Sequence, residues 1–147
     1  MIRELQAKDK EMFVLMVQGL YRSEATLSEI PLVNIETTFK TAIEGSPYIK
    51  AFVIEEKEEI AGYVQLSFTY SNEVGGIVAF VEELFIREEY RSQGLGTKAL
   101  DFIHKEYEHK VKRFRLEVTK ANRSVMELYA RKGYQLNEYI QMVYNQE

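Results

Sequence analysis

Apolar residues recur along this chain in two rhythms, one helical and one alternating. Met12, Leu15, Met16, Gly19 and Leu20 fall at helical spacing and predict a helix over residues 8–23. A short strand at Ile2 to Leu5 precedes it. Tyr21 to Pro31 reads as a loop, and Ile35 to Glu44 as a second helix that Asn34 could cap and Gly45-Ser46-Pro47 ends. Two antiparallel strands follow, Tyr48 to Glu55 and Ile60 to Tyr70, joined as a hairpin by the charged turn Glu56-Lys57-Glu58-Glu59. After the turn Ser71 to Gly76 comes a third strand of this meander, Ile77 to Arg87.

Helical spacing then returns. Leu95, Ala99, Phe102, Ile103 and Tyr107 predict a helix over 94–108. Phe114, Leu116 and Val118 alternate within a strand over Arg113 to Thr119. Val125, Leu128, Tyr129 and Lys132 place a last helix over 123–132, with Asn122 as candidate cap and Gly133 as stop. Tyr134 to Tyr144 reads as one or two closing strands. The order predicts an α+β sheet with helices on both faces. The crossover from strand 77–87 through helix 94–108 to strand 113–119 makes those two strands parallel neighbours or near-neighbours.

Composition narrows the classes. A chain of 147 residues with 46% hydrophobic and 29% charged residues reads as one soluble domain, 1–147. The net charge of −4 argues against a broad nucleic-acid-binding surface and mildly favours a cationic small substrate. With no cysteine, disulfides, thiolate nucleophiles and zinc–thiolate sites are excluded. No apolar run approaches the roughly 20 residues of a membrane span. The start, Met1-Ile2-Arg3-Glu4, lacks the apolar core of a secretory signal, so a cytoplasmic location is expected, without a membrane partner.

The most telling stretch lies between strand 77–87 and helix 94–108: Arg91-Ser92-Gln93-Gly94-Leu95-Gly96-Thr97. Glycines at the mouth of a helix bring unpaired amides within reach of a phosphate, where the helix dipole favours negative charge. Arg91 adds a charged donor, and Ser92, Gln93 and Thr97 add polar ones. No Gly-Lys-Ser/Thr follows, so this is no Walker loop, and two glycines make a poor dinucleotide fingerprint. The competing structural reading of Gly94 and Gly96 is a tight start to a packed helix.

Here the chain resembles the GNAT superfamily of acyl-CoA-dependent N-acetyltransferases, whose hallmark Arg/Gln-x-x-Gly-x-Gly/Ala is matched by Arg91 to Gly96. Glu83-Leu84-Phe85-Ile86 with Tyr90-Arg91, and Asn122 with Leu128-Tyr129 and Gly133-Tyr134, extend the likeness over residues 80–135. The resemblance implies a mixed, mostly antiparallel central sheet with helices on both faces and a splayed parallel strand pair. It implies acetyl-CoA as donor. Amides of Ser92, Gln93, Gly94, Leu95, Gly96 and Thr97 would hold its pyrophosphate, with Arg91 at the margin. Backbone groups of Leu84, Phe85 and Ile86 would pair with the pantetheine arm, and Asn122 could contact the cofactor or merely cap its helix.

Tyr129 matches the family's tyrosine near the coenzyme sulfur and is the candidate general acid, although its helical face also suits a core residue. Glu82 and Glu83 face opposite sides of their strand, so one at most reaches the reacting amine. Glu82 aligns with an acidic position of polyamine acetyltransferases and is preferred over Glu83. His104 and His109 read as solvated, and with no third partner they make a poor metal site. Tyr63, Phe68, Tyr70 and Phe80 read as sheet core. Residues 19–36 would shape the acceptor pocket, with Glu24 and Glu29 as candidate contacts to a cationic amine. The expected activity is acetyl transfer to a primary amine of a small molecule or protein. The competing reading is a non-catalytic acyl-CoA sensor or interaction module. A homodimer through exposed terminal strands is expected on family grounds.

Overall fold

The computed structural model describes residues 1–146. Its elements run β1 (Ile2–Glu4), α1 (Lys10–Tyr21), α2 (Leu32–Ile43), β2 (Ile49–Glu56), β3 (Glu59–Ser71), β4 (Gly76–Ile86), α3 (Leu95–Glu106), β5 (Arg113–Leu116) and α4 (Arg123–Arg131). One five-stranded sheet has the order β1-β2-β3-β4-β5. Every neighbouring pair is antiparallel except β4 with β5, which is parallel across the α3 crossover. This is the expected α+β architecture.

Both faces of the sheet are covered, so its central strands carry runs of buried residues rather than a strict alternation. Ala51, Phe52, Val53 and Ile54 are all buried, and successive side chains enter different cores. On one face Phe13, Met16, Val17 and Leu20 of α1, with Ile35 and Phe39 of α2, pack on Ala51, Val53 and Tyr63. On the other, Leu100 and Ile103 of α3 pack on Phe52, Val64, Leu66 and Val81, with Leu128 and Tyr129 of α4 at the margin. Gly62 permits a close approach within the sheet, since a Cβ there would sit 2.3 Å from the Phe85 carbonyl oxygen.

Several expectations shift. Helix α2 begins earlier than predicted, at Leu32, because Pro31 with φ −64° and ψ 144° takes the cap position. Asn34 lies inside the first turn, where its carbonyl accepts from Thr38 Oγ1 at 2.9 Å. The hairpin turn narrows to Lys57 and Glu58, both left-handed, with φ 52° and 67°. The fifth strand stops at Leu116 rather than Thr119. Its pairing with β4 ends at Val81↔Leu116.

The predicted closing strands at 134–144 are absent. Alternation makes a strand only where a neighbouring backbone completes the ladder. Residues 134–146 lie outside every sheet, with Leu136, Ile140, Met142 and Val143 exposed. Tyr139 instead donates to Glu73 Oε2 at 2.8 Å. A cavity of about 1200 Å³ between this segment and β5 is lined by Phe80, Phe114, Leu136 and Tyr139.

Candidate active site

Strand β4 changes character halfway along. Up to Val81 it pairs with β3 on one side and β5 on the other. At the next residue the register with β3 slips: Leu66 opposes Val81, whereas Gln65 opposes Glu83. Glu82 is thus the extra residue of a β-bulge, which bends the strand and re-aims the side chains beyond it. Leu84 and Ile86 join the α3 side, while Phe85 joins the α1 side. Because β5 has ended, the Leu84 to Ile86 backbone faces no strand on that edge.

The chain leaves β4 through a short turn at Glu88–Tyr90 and reaches the glycine loop. Ser92 is held left-handed at φ 63° and Gly94 at φ 77°. Gly94 occupies the α3 cap position, without any side-chain capping bond, so Ser92 does not cap this helix. The first helical bond runs from Lys98 N–H to the Gly94 carbonyl at 3.0 Å. The amides of Leu95, Gly96 and Thr97 therefore have no intrahelical acceptor. A Cβ at Gly94 would meet nothing within 4 Å, so the loop faces open space. Gly96 faces α4, where an added Cβ would lie 3.5 Å from Leu128 Cδ2. Gln93 is exposed, and Thr97 is half-buried.

Arg91 folds back onto β4. Its Nε donates to the Ile86 carbonyl at 2.9 Å, and its guanidinium carbon lies 5.5 Å from the Phe85 ring centroid. Asn122 holds the cap position of α4 with no side-chain capping bond. The expected capping role is therefore not taken up, and its amide is free for other partners. Tyr129 is half-buried, and burial pushes its hydroxyl pKa up to about 12. It stays protonated near neutral pH.

The two candidate glutamates occupy different environments. Glu82 is exposed and accepts from Ser67 Oγ at 2.7 Å. Glu83 lies on the α1 side, where it accepts from Tyr21 Oη at 2.5 Å and Tyr63 Oη at 2.8 Å. Burial raises the Glu83 pKa above the ordinary carboxylate value; the two tyrosine hydroxyls oppose that rise, and the charge of Glu82 adds to it. Both tyrosine hydroxyls are pushed up, first by burial and then by the Glu83 carboxylate. Beside Glu83 on β3, buried Gln65 presents an amide oxygen with no hydrogen-bond partner.

Tyr21 and Gln65 escape the sequence reading; Tyr63, read as sheet core, is fully buried in the α1-side core and also donates to Glu83. The available signal is Gln65 itself, a polar residue inside the apolar run Ile60 to Phe68. The loop over this face is tied down by Thr119 Oγ1, which donates to the Glu24 carbonyl at 2.5 Å. Glu29 is engaged by Arg22 Nε at 2.9 Å. His104 is half-buried rather than solvated, with Nε2 2.8 Å from the Tyr134 hydroxyl, and burial lowers its pKa. His109 is exposed.

A helix terminus whose first amides have no intrahelical acceptor thus follows a strand whose far half β5 leaves unpaired, within an α+β fold. The acetyltransferase (GNAT) family model matches residues 17–134, and the chain belongs to this family. No curated protein sequence matches it. Among solved structures it is similar to a possible acetyltransferase from Clostridium difficile 630 (TM-score 0.86, 16% identity, covering 100% of this chain and 97% of the other). It is also similar to a transcriptional regulator from Bacillus halodurans C-125 (TM-score 0.78, 25% identity, covering 98% and 99%). A third likeness is to the aminoglycoside N-acetyltransferase AAC(6')-Iy in complex with CoA (TM-score 0.80, 13% identity, covering 99% and 93%). The first and third likenesses are of fold alone. Among the described residues no helix is long and apolar enough to cross a membrane.

Proposed function

We propose that this protein transfers an acetyl group from acetyl-CoA to a primary amine. The observation that carries the reading is a coincidence of position. Strand pairing ends at Val81 and Leu116, and the free amides of Leu95 to Thr97 stand at the head of the helix that follows β4. Helix-terminal amides suit a diphosphate, and an unpaired strand edge suits an amide-bearing arm that can lie along it as a further strand. These residues fit acetyl-CoA, with Ser92 to Thr97 at the diphosphate and Leu84 to Ile86 along the arm. Bound there, the cofactor supplies the acetyl thioester.

The chain's own groups then divide the work. Holding the amine beside the donor is worth roughly 7–11 kcal/mol at best. Glu83 receives the proton the amine must lose, a role for which a raised carboxyl pKa is better matched to neutral pH than an ordinary one. Glu82, exposed and one residue away, adds negative potential that draws a cationic amine. The proton-handling role thus moves from Glu82, preferred from sequence, to Glu83. Tyr129 keeps its proton at Oη and can give it to the departing thiolate, and Asn122 lends a free amide beside α4.

The test is calorimetric titration with acetyl-CoA, followed by thiol release in the presence of pooled primary amines. Binding with amine-dependent thiol release is expected. Binding without turnover across a broad panel would favour the acyl-CoA sensor, a reading to which the regulator-like neighbour lends some weight.

A further inference from the structure

Gln65 is a buried polar residue that the fold does not use. Two polar or charged residues are buried in the described chain, Asp9 and Gln65. Asp9 is fully engaged: Arg3 donates to both carboxylate oxygens, at 2.8 and 3.0 Å, and the Gln6 amide donates at 2.8 Å. Gln65 is 8% exposed, yet its Oε1 has no partner among the described residues. A buried amide left unpaired lowers stability relative to an apolar side chain of the same shape. Such a group is explained when a ligand supplies the missing bond.

Its position says which ligand. Gln65 sits opposite Ala51 of β2 and Glu83 of β4. Val64 and Leu66 belong to the α3-side core, so Gln65 projects with Tyr63 toward α1. Directly opposed residues bring their Cβ atoms within about 5 Å. The bulge at Glu82 is what sets Glu83 against Gln65. Each Glu83 oxygen already accepts one tyrosine hydroxyl, Oε2 from Tyr21 and Oε1 from Tyr63, and each keeps a further lone pair. Thr26, in the loop whose Ala25 packs on this same core, also has a buried Oγ1 without a partner.

We infer that the Gln65 amide oxygen and the Glu83 carboxylate together hold the acceptor's nitrogen, selecting an unhindered primary alkyl ammonium. This deepens the transferase reading and rests on it. A primary ammonium offers three N–H donors, one for each of the three acceptor oxygens that Glu83 and Gln65 present. A secondary amine offers one fewer, and an alcohol only one. The ammonium gives one proton to Glu83. One remaining N–H stays on Gln65 Oε1, so the freed nitrogen lone pair is fixed in direction. The new C–N bond then forms as the C–S bond breaks. The thiolate takes the Tyr129 Oη proton, and the nitrogen sheds its second proton to water, which restores the proton on Tyr129.

The experiment compares wild type with Gln65→Met, which keeps the shape and removes the amide, and Gln65→Asn, which keeps the amide one methylene short. Thiol release is measured with propylamine, 1,4-diaminobutane and lysine amide, and with N-methylpropylamine as the secondary counterpart. Melting temperature and acetyl-CoA KM are read alongside. Gln65→Met should melt at or above wild type, keep its acetyl-CoA KM and raise the KM for primary amines about tenfold. It should also narrow the preference for propylamine over N-methylpropylamine. Gln65→Asn should raise the amine KM as well, at unchanged acetyl-CoA KM. A lower melting temperature with weakened acetyl-CoA use would make Gln65 structural and overturn the inference, as would an unaltered amine KM in both variants. Wild type that binds acetyl-CoA but releases no thiol with any of these amines would remove the transferase reading itself, and this inference with it.

Discussion

The two halves of β4 differ more from each other than from any neighbouring strand. Residues Val78 to Val81 are paired on both edges, and all four are buried. Beyond the unpaired bulge residue Glu82, Glu83 to Ile86 are paired on one edge only, and the two carboxylates stand at this junction. One extra residue and one strand that stops at Leu116 separate a purely structural element from a candidate reaction centre. The first half satisfies its backbone internally. The second leaves polar groups that water, a cofactor or a substrate must satisfy.

The largest expected effect comes from the carboxylate on the α1 side. Glu83→Gln should lower kcat roughly 10²–10³-fold while acetyl-CoA affinity is retained, as steady-state kinetics beside calorimetry would show. Its raised pKa also has a signature in the pH profile. A base must be deprotonated to act, so kcat/KM for the amine should rise with pH through a limb above the ordinary carboxylate range. Stability moves the other way: the folded protein holds the Glu83 proton more tightly than the unfolded chain. Its contribution is present at low pH and is lost as pH climbs through the folded pKa. Glu83→Gln should abolish this drift in thermal melts.

The helix terminus comes next. Gly94→Val places a β-branched residue at φ 77° beside the free amides and should weaken acetyl-CoA about a hundredfold in calorimetry. The protein should stay folded, because the added Cβ meets nothing within 4 Å. Tyr129→Phe should lower kcat about tenfold with little change in acetyl-CoA affinity, reporting the proton that burial retains on this hydroxyl. The smallest effect is that of Glu82→Gln. It should raise the KM for a cationic amine a few-fold at low salt, with the difference shrinking as salt is added. It should also move the acid limb to lower pH, since the charge of Glu82 helps to hold the Glu83 proton.

Much of this frame was legible because helices and strands advertise themselves locally. Met12 to Leu20, Leu95 to Tyr107 and the β2–β3–β4 meander follow their periods, and the observed elements differ from the expected ones by a few residues at the ends. The setting of the glycine loop was legible too, because a strand, a turn and a helix follow one another there without interruption. The contrast in environment between Glu82 and Glu83 was not. Alternation says that adjacent residues face apart, but which face holds the site depends on a bulge set by register with β3. The polar cluster around Glu83 joins α1, β3 and β4, segments far apart in the chain. Only Gln65, out of place in an apolar run, hinted at it. The Tyr134 to Tyr144 alternation misled for a related reason, since no pattern within a segment says whether a partner strand is present.

The central claim is that main-chain N–H groups at the head of α3 and along the free edge of β4 receive the cofactor. Amide chemical shifts of ¹⁵N-labelled protein titrated with coenzyme A test this most directly. The account predicts that Leu95, Gly96 and Thr97 shift most, followed by Leu84 to Ile86. Saturating coenzyme A that leaves those amides unmoved, or shifts confined to the cavity between Phe114 and Tyr139, would contradict it.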